Sequence, residues 1–273
     1  MKIAFQGLKG AYSEEAIYKH FGKNVEARGF DLSRQVMDAL REEEVDYAIL
    51  PVENSIVGNV GINLDLIYKE NTFAIAEVYL SIEHCLLAHH GLELSDLSHV
   101  CSHPIALEQC HDFLDRHHLK SISEFDTAGA SKKLSQESNA SYGSISSQLC
   151  AKYYNLNILE RNIQKVRKNI TRFLVLKKPC KNDFSREGDK ISLAFNTKHT
   201  PGALLECLHV FAFHKLNLTK LQSRPIPEDP FTYTFFIDAL GSLENSNVTQ
   251  CLEKLQDLSR NLKILGYYKQ SEP

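Results

Sequence analysis

Several features that mark common classes of protein are missing from this 273-residue sequence. The net charge is only −3, and no stripe of basic residues interleaved with aromatics occurs, so the chain lacks the electrostatic signature of a nucleic-acid-binding protein. No apolar run reaches the roughly 18 residues of a membrane span, and the N-terminal segment has neither a signal-peptide core nor a transit-peptide composition. These absences predict a soluble, cytoplasmic protein without nucleic-acid or membrane partners.

Metal-binding and disulfide patterns are also missing. The seven cysteines are odd in number, no two form a Cys-x-x-Cys pair, and most lie within apolar runs, as Cys85 and Cys150 do. We interpret them as reduced, buried thiols. On a helix, His84 and either His89 or His90 would face one ion, but the surrounding residues have the composition of a strand that runs into a turn. The sequence therefore predicts no metal site.

Short apolar segments alternate with amphipathic segments of helical length from the N-terminus to about residue 178. The segment KIAF at residues 2–5 precedes a helix for which Ser13 is the expected N-cap, and YAIL at residues 47–50 has a polar exit. Such alternation predicts an α/β domain with a mainly parallel sheet.

The composition changes at KKPCKNDFSREGD, residues 177–189, which is rich in charge and contains proline and glycine. This change predicts a linker at residues 179–189 between a first domain, residues 1–178, and a second, residues 190–273. The second has the order β-α-β-β-α-β, which predicts a small ferredoxin-like fold.

Small, hydroxyl-bearing or amide side chains follow several predicted strands, at points where helices begin. In open α/β sheets, ligands bind beyond the carboxyl ends of the strands, and helix N-termini attract anions. These exits predict a cleft for a small, oxygen-rich anion, although helix caps and turns use the same residue types. The exit segments are residues 6–13, 51–55, 102–104 and 126–129.

The exits also carry motifs. The segments GLKGAYSE, PVENSIVGNV, SHPIALEQC, DTAGAS and NITRFLVL resemble, in order and spacing, those of the prephenate dehydratase family. The C-terminal PGALLECLHVFAFHKLNLTKLQSRP is similar to that family's ACT regulatory domain. The segments QGLKGAYSE, HCLLAHHG and LNLTKLQSRP look especially like plant-type members that act on arogenate.

The resemblance implies a two-lobed, periplasmic-binding-protein-like catalytic domain followed by a ferredoxin-like βαββαβ ACT domain. It implies a cofactor-free reaction in which prephenate loses carbon dioxide and water to give phenylpyruvate, or arogenate gives phenylalanine directly. Phenylalanine would be the effector, and pairing of ACT sheet edges would make a homodimer or homotetramer. An alternative of another class is a non-catalytic amino-acid sensor with the same cleft.

The resemblance also implies roles for residues. Thr171 would donate a hydrogen bond to the departing hydroxyl, with a proton relay or water behind it; by β-propensity alone it would be an ordinary strand threonine. For Arg172, two roles are possible, a contact with the substrate or a structural ion pair. Side chains alternate along a strand, so Arg172 points away from the cleft if Thr171 faces it. Glu53 is expected to brace its neighbour, since a carboxylate would repel a dianion. The other catalytic positions are Asn54, Ser102 and Gln109, and the substrate-binding ones are Ser13, Ser55, Thr127 and Arg172.

By the same resemblance, the family's phenylalanine site corresponds to the start of a predicted helix and to a predicted strand in the second domain. Two departures from the family pattern bear on function: Lys165 is basic where an acid or amide is usual, and Gln222 stands for the glutamate of Glu-Ser-Arg-Pro. Both departures favour the sensor alternative. The implied effector-binding residues are Gly202, Ala203, Leu204, Asn217, Gln222, Ser223 and Arg224.

Overall fold

The structure is a computed structural model that describes residues 1–137, 141–181, 183–185, 187–226, 228–229 and 232–273. The first lobe contains β1 (Lys2–Gln6), α1 (Tyr12–Phe21), β2 (Glu26–Phe30), α2 (Ser33–Arg41), β3 (Tyr47–Asn54), β4 (Gly58–Asn59), α3 (Gly61–Lys69), β5 (Phe73–Ser81) and, later in the chain, β11 (Ile170–Lys177). The second lobe contains β6 (Cys85–Ala88), β7 (His99–Ser102), α4 (Pro104–Gln109), α5 (His111–Arg116), β8 (Lys120–Ser123), α6 (Thr127–Gln136), β9 (Tyr142–Ser146), α7 (Gln148–Tyr153) and β10 (Asn157–Glu160). The C-terminal unit contains β12 (Lys190–Asn196), α8 (Ala203–Phe213), β13 (Leu218–Pro225), β14 (Tyr233–Leu240), α9 (Ser246–Leu258) and β15 (Arg260–Tyr268).

The first lobe has a mixed sheet, not the mainly parallel sheet that the alternation predicted. β1 pairs in parallel with β2 and β3, whereas β11 runs antiparallel to both β3 and β5. The reason is the chain path, because β11 returns from the second lobe and enters the sheet from the opposite end. Apolar side chains of β11 fill the core on both faces, with Phe173 and Leu174 each 2% exposed.

The second lobe has its own sheet, in the order β10-β6-β9-β7-β8. β7 is parallel to β8 and β9, while β6 is antiparallel to β9 and β10. Two local predictions need correction. The segment PIALEQCHDFLDRH after His103, which the sequence predicts as one helix, is divided at Cys110 into α4 and α5, and Ala11, not Ser13, is the N-cap of α1.

Two segments, residues 82–84 and 163–169, connect the lobes and are bonded to each other. The Ile82 amide donates to the Asn169 carbonyl at 2.7 Å, and the His84 amide donates to Gln164 Oε1 at 2.9 Å. Gln164 Nε2 donates to the Ile82 carbonyl at 3.2 Å. The crossing is thus a pair of irregular segments, joined by hydrogen bonds, that brings Asn169 and His84 to the floor between the lobes.

The C-terminal unit has the predicted β-α-β-β-α-β order, with sheet order β13-β14-β12-β15. Phe195, Phe211 and Leu255 lie in the core between this sheet and its helices. β15 also lies beside β5, with Gly266 opposite Ala74, so the two sheets are continuous. A Cβ on Gly266 would lie 2.5 Å from the Cβ of Ala74, which explains glycine there. The division into separate domains at residues 178 and 190 stays a prediction.

In the described part of the chain, we find no helix with the length and apolar character needed to span a membrane.

Candidate active site

A cleft of about 440 Å³ separates the two lobes, and both contribute to its lining. This volume lies within the usual range of small-molecule sites. The rim carries exposed apolar side chains, whereas the floor is polar. The polar lining residues are Gln6, Tyr12, Ser13, Asp31, Asn54, Asn59, His84, His103, Gln109, Asp126, Thr127, Asn169 and Thr171.

Thr171 lies on the cleft face of β11, opposite Asn54 of β3 in the strand register. Asn54 Nδ2 donates to Thr171 Oγ1 at 2.9 Å. Because Thr171 Oγ1 is the acceptor in this bond, and the described residues offer its proton no other partner, the hydroxyl is free to donate into the cleft. The side chain is 9% exposed, so a donated bond would be made largely out of water.

Asn54 has its orientation fixed from both ends of its amide. Its Oδ1 accepts from the backbone amides of Ile56 and Val57, both at 2.9 Å, which closes a turn after β3. Its Nδ2 donates to Asn169 Oδ1 at 2.7 Å as well as to Thr171. All its hydrogen-bonding positions are therefore filled by protein, so Asn54 orients Thr171 without a spare donor for a ligand.

Gln109 continues this network across the cleft floor. Its Oε1 accepts from Asn169 Nδ2 at 3.0 Å and from His84 Nε2 at 2.9 Å. Since the amide oxygen has no proton to give, His84 carries its proton on Nε2. The Tyr12 hydroxyl then shares its proton between His84 Nδ1 at 2.8 Å and the Glu83 carbonyl at 3.0 Å. Gln109 Nε2 has no partner among the described residues and is available to a ligand.

Burial controls the charge state of this network. It lowers the pKa of His84, with the Gln109 bond opposing, and it raises the pKa of the Tyr12 phenol well above its ordinary value. Burial also lowers the pKa of His103, although the Asp126 carboxylate opposes that shift. Both histidines and the tyrosine are thus neutral at pH 7, and the network orients groups without adding a cation.

Helix N-termini from both lobes point their first turns at the cleft. Ser13 lies in the first turn of α1, and Thr127 is the first residue of α6, where the Asp126 side chain caps the helix by accepting from Gly129 N at 2.6 Å. Exposed backbone amides and the helix dipole favour an anion at such ends. Ser13 and Thr127 both line the cleft, as the substrate-binding assignment requires, and that assignment stays a prediction.

Three of the predicted site residues do not line the cleft. Ser102 is fully buried and donates to the Ile145 carbonyl at 2.6 Å, so it supports β7 from beneath. Ser55 is exposed and braces the strand entrance, where its Oγ accepts from Ile170 N at 2.9 Å. Arg172 lies on the opposite face of β11 and pairs with Glu77 and Asp238, as the ion-pair alternative expected. The assignments of these three side chains to direct substrate contact are corrected by their positions.

Lys165 also lies outside the cleft lining, and it forms an exposed ion pair with Asp112 at 3.0 Å. Its departure from the family pattern therefore does not alter the cleft, and it no longer supports a non-catalytic sensor.

The sequence interpretation missed Asn169, His84 and Tyr12. Asn169 stands two residues before Thr171, so the side-chain alternation that selects Thr171 selects Asn169 as well.

The cleft lining carries little positive charge. Of the described residues that line it, none is lysine or arginine, and Asp31 and Asp126 are acidic. No group of three or more potential metal ligands occurs among histidine, cysteine, aspartate and glutamate in the described ranges. An anion in this cleft would be held by helix ends, amides and hydroxyls.

A family model described as prephenate dehydratase matches residues 3–181. The chain belongs to the prephenate dehydratase family. Arogenate dehydratase/prephenate dehydratase 2 of Arabidopsis thaliana, a chloroplastic protein, is 36% identical over 277 residues, which span 98% of this chain and 72% of that one.

Two solved structures are similar over almost all of the chain. The prephenate dehydratase of Arthrobacter aurescens, in complex with L-phenylalanine, has a TM-score of 0.90 at 29% identity and covers 99% of this chain and 90% of its own. GqqA, a quorum-quenching acylase of a novel type, has a TM-score of 0.92 at 29% identity, with 99% and 98% covered. These likenesses confirm the two-lobed fold expected of the family.

The effector positions that the family resemblance implied fall into two groups in the C-terminal unit. Gly202, Ala203 and Leu204 line a pocket at the start of α8, beside Tyr233 and Phe235 of β14. Four further positions lie on or just before the edge strand β13 and do not line this pocket; they are Asn217, Gln222, Ser223 and Arg224. Within one chain, the described residues of the two groups therefore do not form a single site.

Proposed function

We propose that this protein catalyses the decarboxylating dehydration of prephenate to phenylpyruvate without a cofactor. The observation that carries the proposal is the Thr171 hydroxyl, which Asn54 orients and leaves free to donate into a cleft flanked by helix N-termini. Membership of the prephenate dehydratase family supports the same reaction.

The decarboxylating dehydration requires hydrogen-bond donors and helix N-termini but no cofactor. As the ring carboxylate leaves as carbon dioxide, its bonding electron pair enters the ring, which becomes aromatic and expels the hydroxyl on the opposite carbon. That hydroxyl takes up one proton, which solvent supplies, and leaves as water. A hydrogen bond from Thr171 Oγ1 stabilises the negative charge that develops on the departing oxygen, and Gln109 Nε2 is available to hold a carboxylate.

A hydrolytic acylase reaction, as named for GqqA, finds less support. An acyl-transfer hydroxyl is normally activated by a hydrogen-bonded base. Among the described cleft residues, no serine or threonine hydroxyl is bonded to a histidine or a carboxylate, and the Thr171 oxygen accepts from an amide instead. The arrangement favours elimination.

Arogenate is the second candidate substrate, and the charge of the cleft favours it. Arogenate differs from prephenate by an ammonium group in place of the side-chain ketone, and Asp126 and Asp31 are the acidic groups available to pair with it.

We expect Asp126→Asn to lower the ratio of kcat/KM for arogenate to kcat/KM for prephenate by about tenfold, the scale of a charge-assisted contact. Asparagine keeps the helix cap, so the fold should be retained. An unchanged ratio would exclude Asp126 as the ammonium partner.

For regulation, we propose that the C-terminal unit is an ACT domain that binds phenylalanine, as the Arthrobacter relative binds it. The helix-start pocket and the β13 residues of two chains would combine across a homodimer or homotetramer interface. β13 is an edge strand in the described sheet, and Leu221 is 48% exposed on it, which suits pairing with a second copy. A cytoplasmic location stays a prediction.

The deciding experiment gives the purified protein prephenate and arogenate separately at near-neutral pH, where the acid-catalysed conversion is slow. Phenylpyruvate from prephenate supports the main proposal, and much faster formation of phenylalanine from arogenate supports the second candidate. No product from either substrate would refute both and leave the sensor alternative. Phenylalanine binding measured by calorimetry then tests the ACT proposal by itself.

A further inference from the structure

Charged side chains lie on the face of β3 and β11 that is turned away from the cleft. Along β11, Thr171 and Phe173 line the cleft, whereas Arg172 points to the opposite side. The strand register places Arg172 opposite Glu53, beside the pair formed by Thr171 and Asn54. Each member of the cleft pair thus has a charged neighbour behind it. The charge cluster consists of Glu53, Glu77, Arg172, Lys190, Lys220 and Asp238.

The charge cluster is balanced, and five of its six members are buried, whereas the Glu53 side chain is 40% exposed. Glu77 and Lys190 are 2% exposed, Arg172 and Asp238 are 4% exposed, and Lys220 is 9% exposed. Three cations face three carboxylates, so the sum of the charges is zero. Removing one member leaves an uncompensated charge out of water, which disturbs its partners strongly.

Arg172 connects β11, the strand that carries Thr171, to the C-terminal unit. Its Nε donates to Glu77 Oε2 at 2.7 Å, its Nη1 donates to Asp238, and its Nη2 donates to the Tyr268 hydroxyl at 2.9 Å. Asp238 also accepts from Ser192 Oγ. Burial alone would raise the pKa of Asp238, but Arg172 and Ser192 lower that pKa below its ordinary value, so the carboxylate stays charged. The planar guanidinium is therefore fixed in position from both units.

A second connection reaches β3. Lys220 Nζ, on β13, donates to Glu53 Oε2 at 3.0 Å and also to Asn59 Oδ1. Lys190 Nζ, on β12, donates to Glu77 Oε2 at 2.9 Å. These contacts join the C-terminal unit to the strands on either side of Arg172, so the backbone that carries Asn54 and Thr171 is clamped from behind.

We propose that Asp238 is a positioning residue for the reaction: by holding Arg172, it keeps Thr171 in the geometry that elimination needs. The inference rests on the proposed function. A residue and its strand neighbour share a peptide unit, so a shift of Arg172 moves Thr171 with it. Misplacing a catalytic group by about 1 Å costs up to about 10²-fold in rate.

The test compares two variants. Each removes one carboxylate charge from a contact between the first lobe and the C-terminal unit. Asp238→Asn loses the charge that faces Arg172. Asp65→Asn loses the charge that faces Arg224 at 2.6 Å, a contact between α3 and β13 that lies outside the charge cluster. On folded protein, well below its melting temperature, we expect Asp238→Asn to lower kcat about tenfold with little change in KM. Assayed with prephenate in the absence of phenylalanine, Asp65→Asn should keep the wild-type kcat.

A double variant separates positioning from general damage. If Asp238 acts through Thr171, then Asp238→Asn should cause no further loss of kcat in a Thr171→Ala background; losses that multiply would overturn the proposal. Where Asp238→Asn does not fold, Tyr268→Phe removes one bond to Arg172 with all charges kept, and it should show a smaller loss with the same dependence on Thr171.

A readout without turnover keeps the two proposals distinct. Deuterium uptake of residues 169–173 should be faster in Asp238→Asn than in Asp65→Asn, and equal uptake would overturn the positioning role whether or not the protein turns over substrate. Absence of product from the wild-type protein with either substrate refutes the proposed function instead. A wild-type kcat in folded Asp238→Asn refutes only the positioning role.

Discussion

The hydroxyl of Thr171 owes its direction to an amide. Because Asn54 donates to its oxygen, the proton of the hydroxyl is left for a ligand in the cleft. The proposed role is to donate a hydrogen bond, which a weakly acidic threonine is able to do. The two charged groups nearest in sequence, Glu53 and Arg172, face the other way and do not change this. The chemistry of the site is therefore set by hydrogen-bond direction more than by charge.

Replacing this hydroxyl gives the first prediction. Thr171→Ala should lower kcat by about 10²-fold, the scale of losing one positioned group that assists proton transfer. Thr171→Ser keeps the hydroxyl and should retain most of the activity. Steady-state kinetics with each substrate checks this, and a wild-type rate in Thr171→Ala would end the assignment.

His84 makes stability depend on pH. Burial lowers its folded-state pKa below the ordinary 6.5, so as the pH falls through 6.5 the unfolded chain takes up a proton before the folded protein does. Stability should therefore fall as the pH is lowered from 7.5 to 5.5, as measured by urea unfolding. His84→Gln offers an amide to Tyr12 and Gln109 and should show a shallower decline; equal slopes would contradict the prediction.

The family motifs select positions, and the structure shows which of those positions meet in the cleft, while the roles of the residues stay predictions. Thr171, Asn54 and Gln109 meet at the cleft floor as the family resemblance implied. Ser102 and Ser55 belong to equally good motif matches, yet one supports β7 from below and the other braces a strand entrance. A motif fixes which residue type is needed at a position, but a hydroxyl serves a backbone carbonyl as readily as a ligand.

At the scale of elements, the turn after β1 depends on Gly10. Its φ is +91°, and a Cβ there would lie 2.5 Å from Cys150 Sγ. Its amide donates to the buried Glu14 Oε2 at 2.6 Å, which fixes the start of α1 against the cleft. The glycine thus joins the first lobe to the second where α1 faces α7.

We expect Gly10→Ala to destabilise the protein by about 2 to 4 kcal/mol, from left-handed strain and overpacking together. Gly91→Ala is the matched control, because Gly91 has φ +85° but open space around it, so strain alone should cost about 1 to 2 kcal/mol. Urea unfolding of both variants gives the comparison. Equal losses would show that contact with Cys150 adds nothing.

Helices and strands with a strong apolar periodicity were predictable from the sequence, whereas those with few apolar residues were not. The sequence of β2, EARGF, and that of β8, KSIS, contain few apolar residues, because exposure along these strands leaves little to bury. The antiparallel entry of β11 was not predictable, since strand direction depends on where the chain returns. By contrast, the β-α-β-β-α-β order of the C-terminal unit followed from its clear alternation of strand and helix patterns.

At the scale of the whole molecule, the cleft has apolar rims on both lobes. Val57 is 53% exposed on the first lobe, and Ile105 and Phe125 are 43% and 68% exposed on the second. Closure of the lobes on a ring-shaped ligand would bury these side chains, and we expect the crossing segments to bend as the hinge.

Saturating phenylpyruvate should therefore lower the radius of gyration measured by small-angle X-ray scattering. Phe125→Ser should weaken binding of the product, because less apolar surface is buried on closure, and should leave the radius of the free protein unchanged. A radius that stays constant at saturation would show that the lobes bind without closing.

The position of β11 in the chain bears on folding. β5 ends at Ser81 and its partner β11 begins at Ile170, with the whole second lobe between them. Pairing of such distant segments closes a long loop, which slows folding. During synthesis the first lobe therefore waits for its central strand until the second lobe has emerged, and the strand that joins β3 to β5 within the first lobe is the one that carries Thr171. Recovery of activity on refolding should report this late step directly.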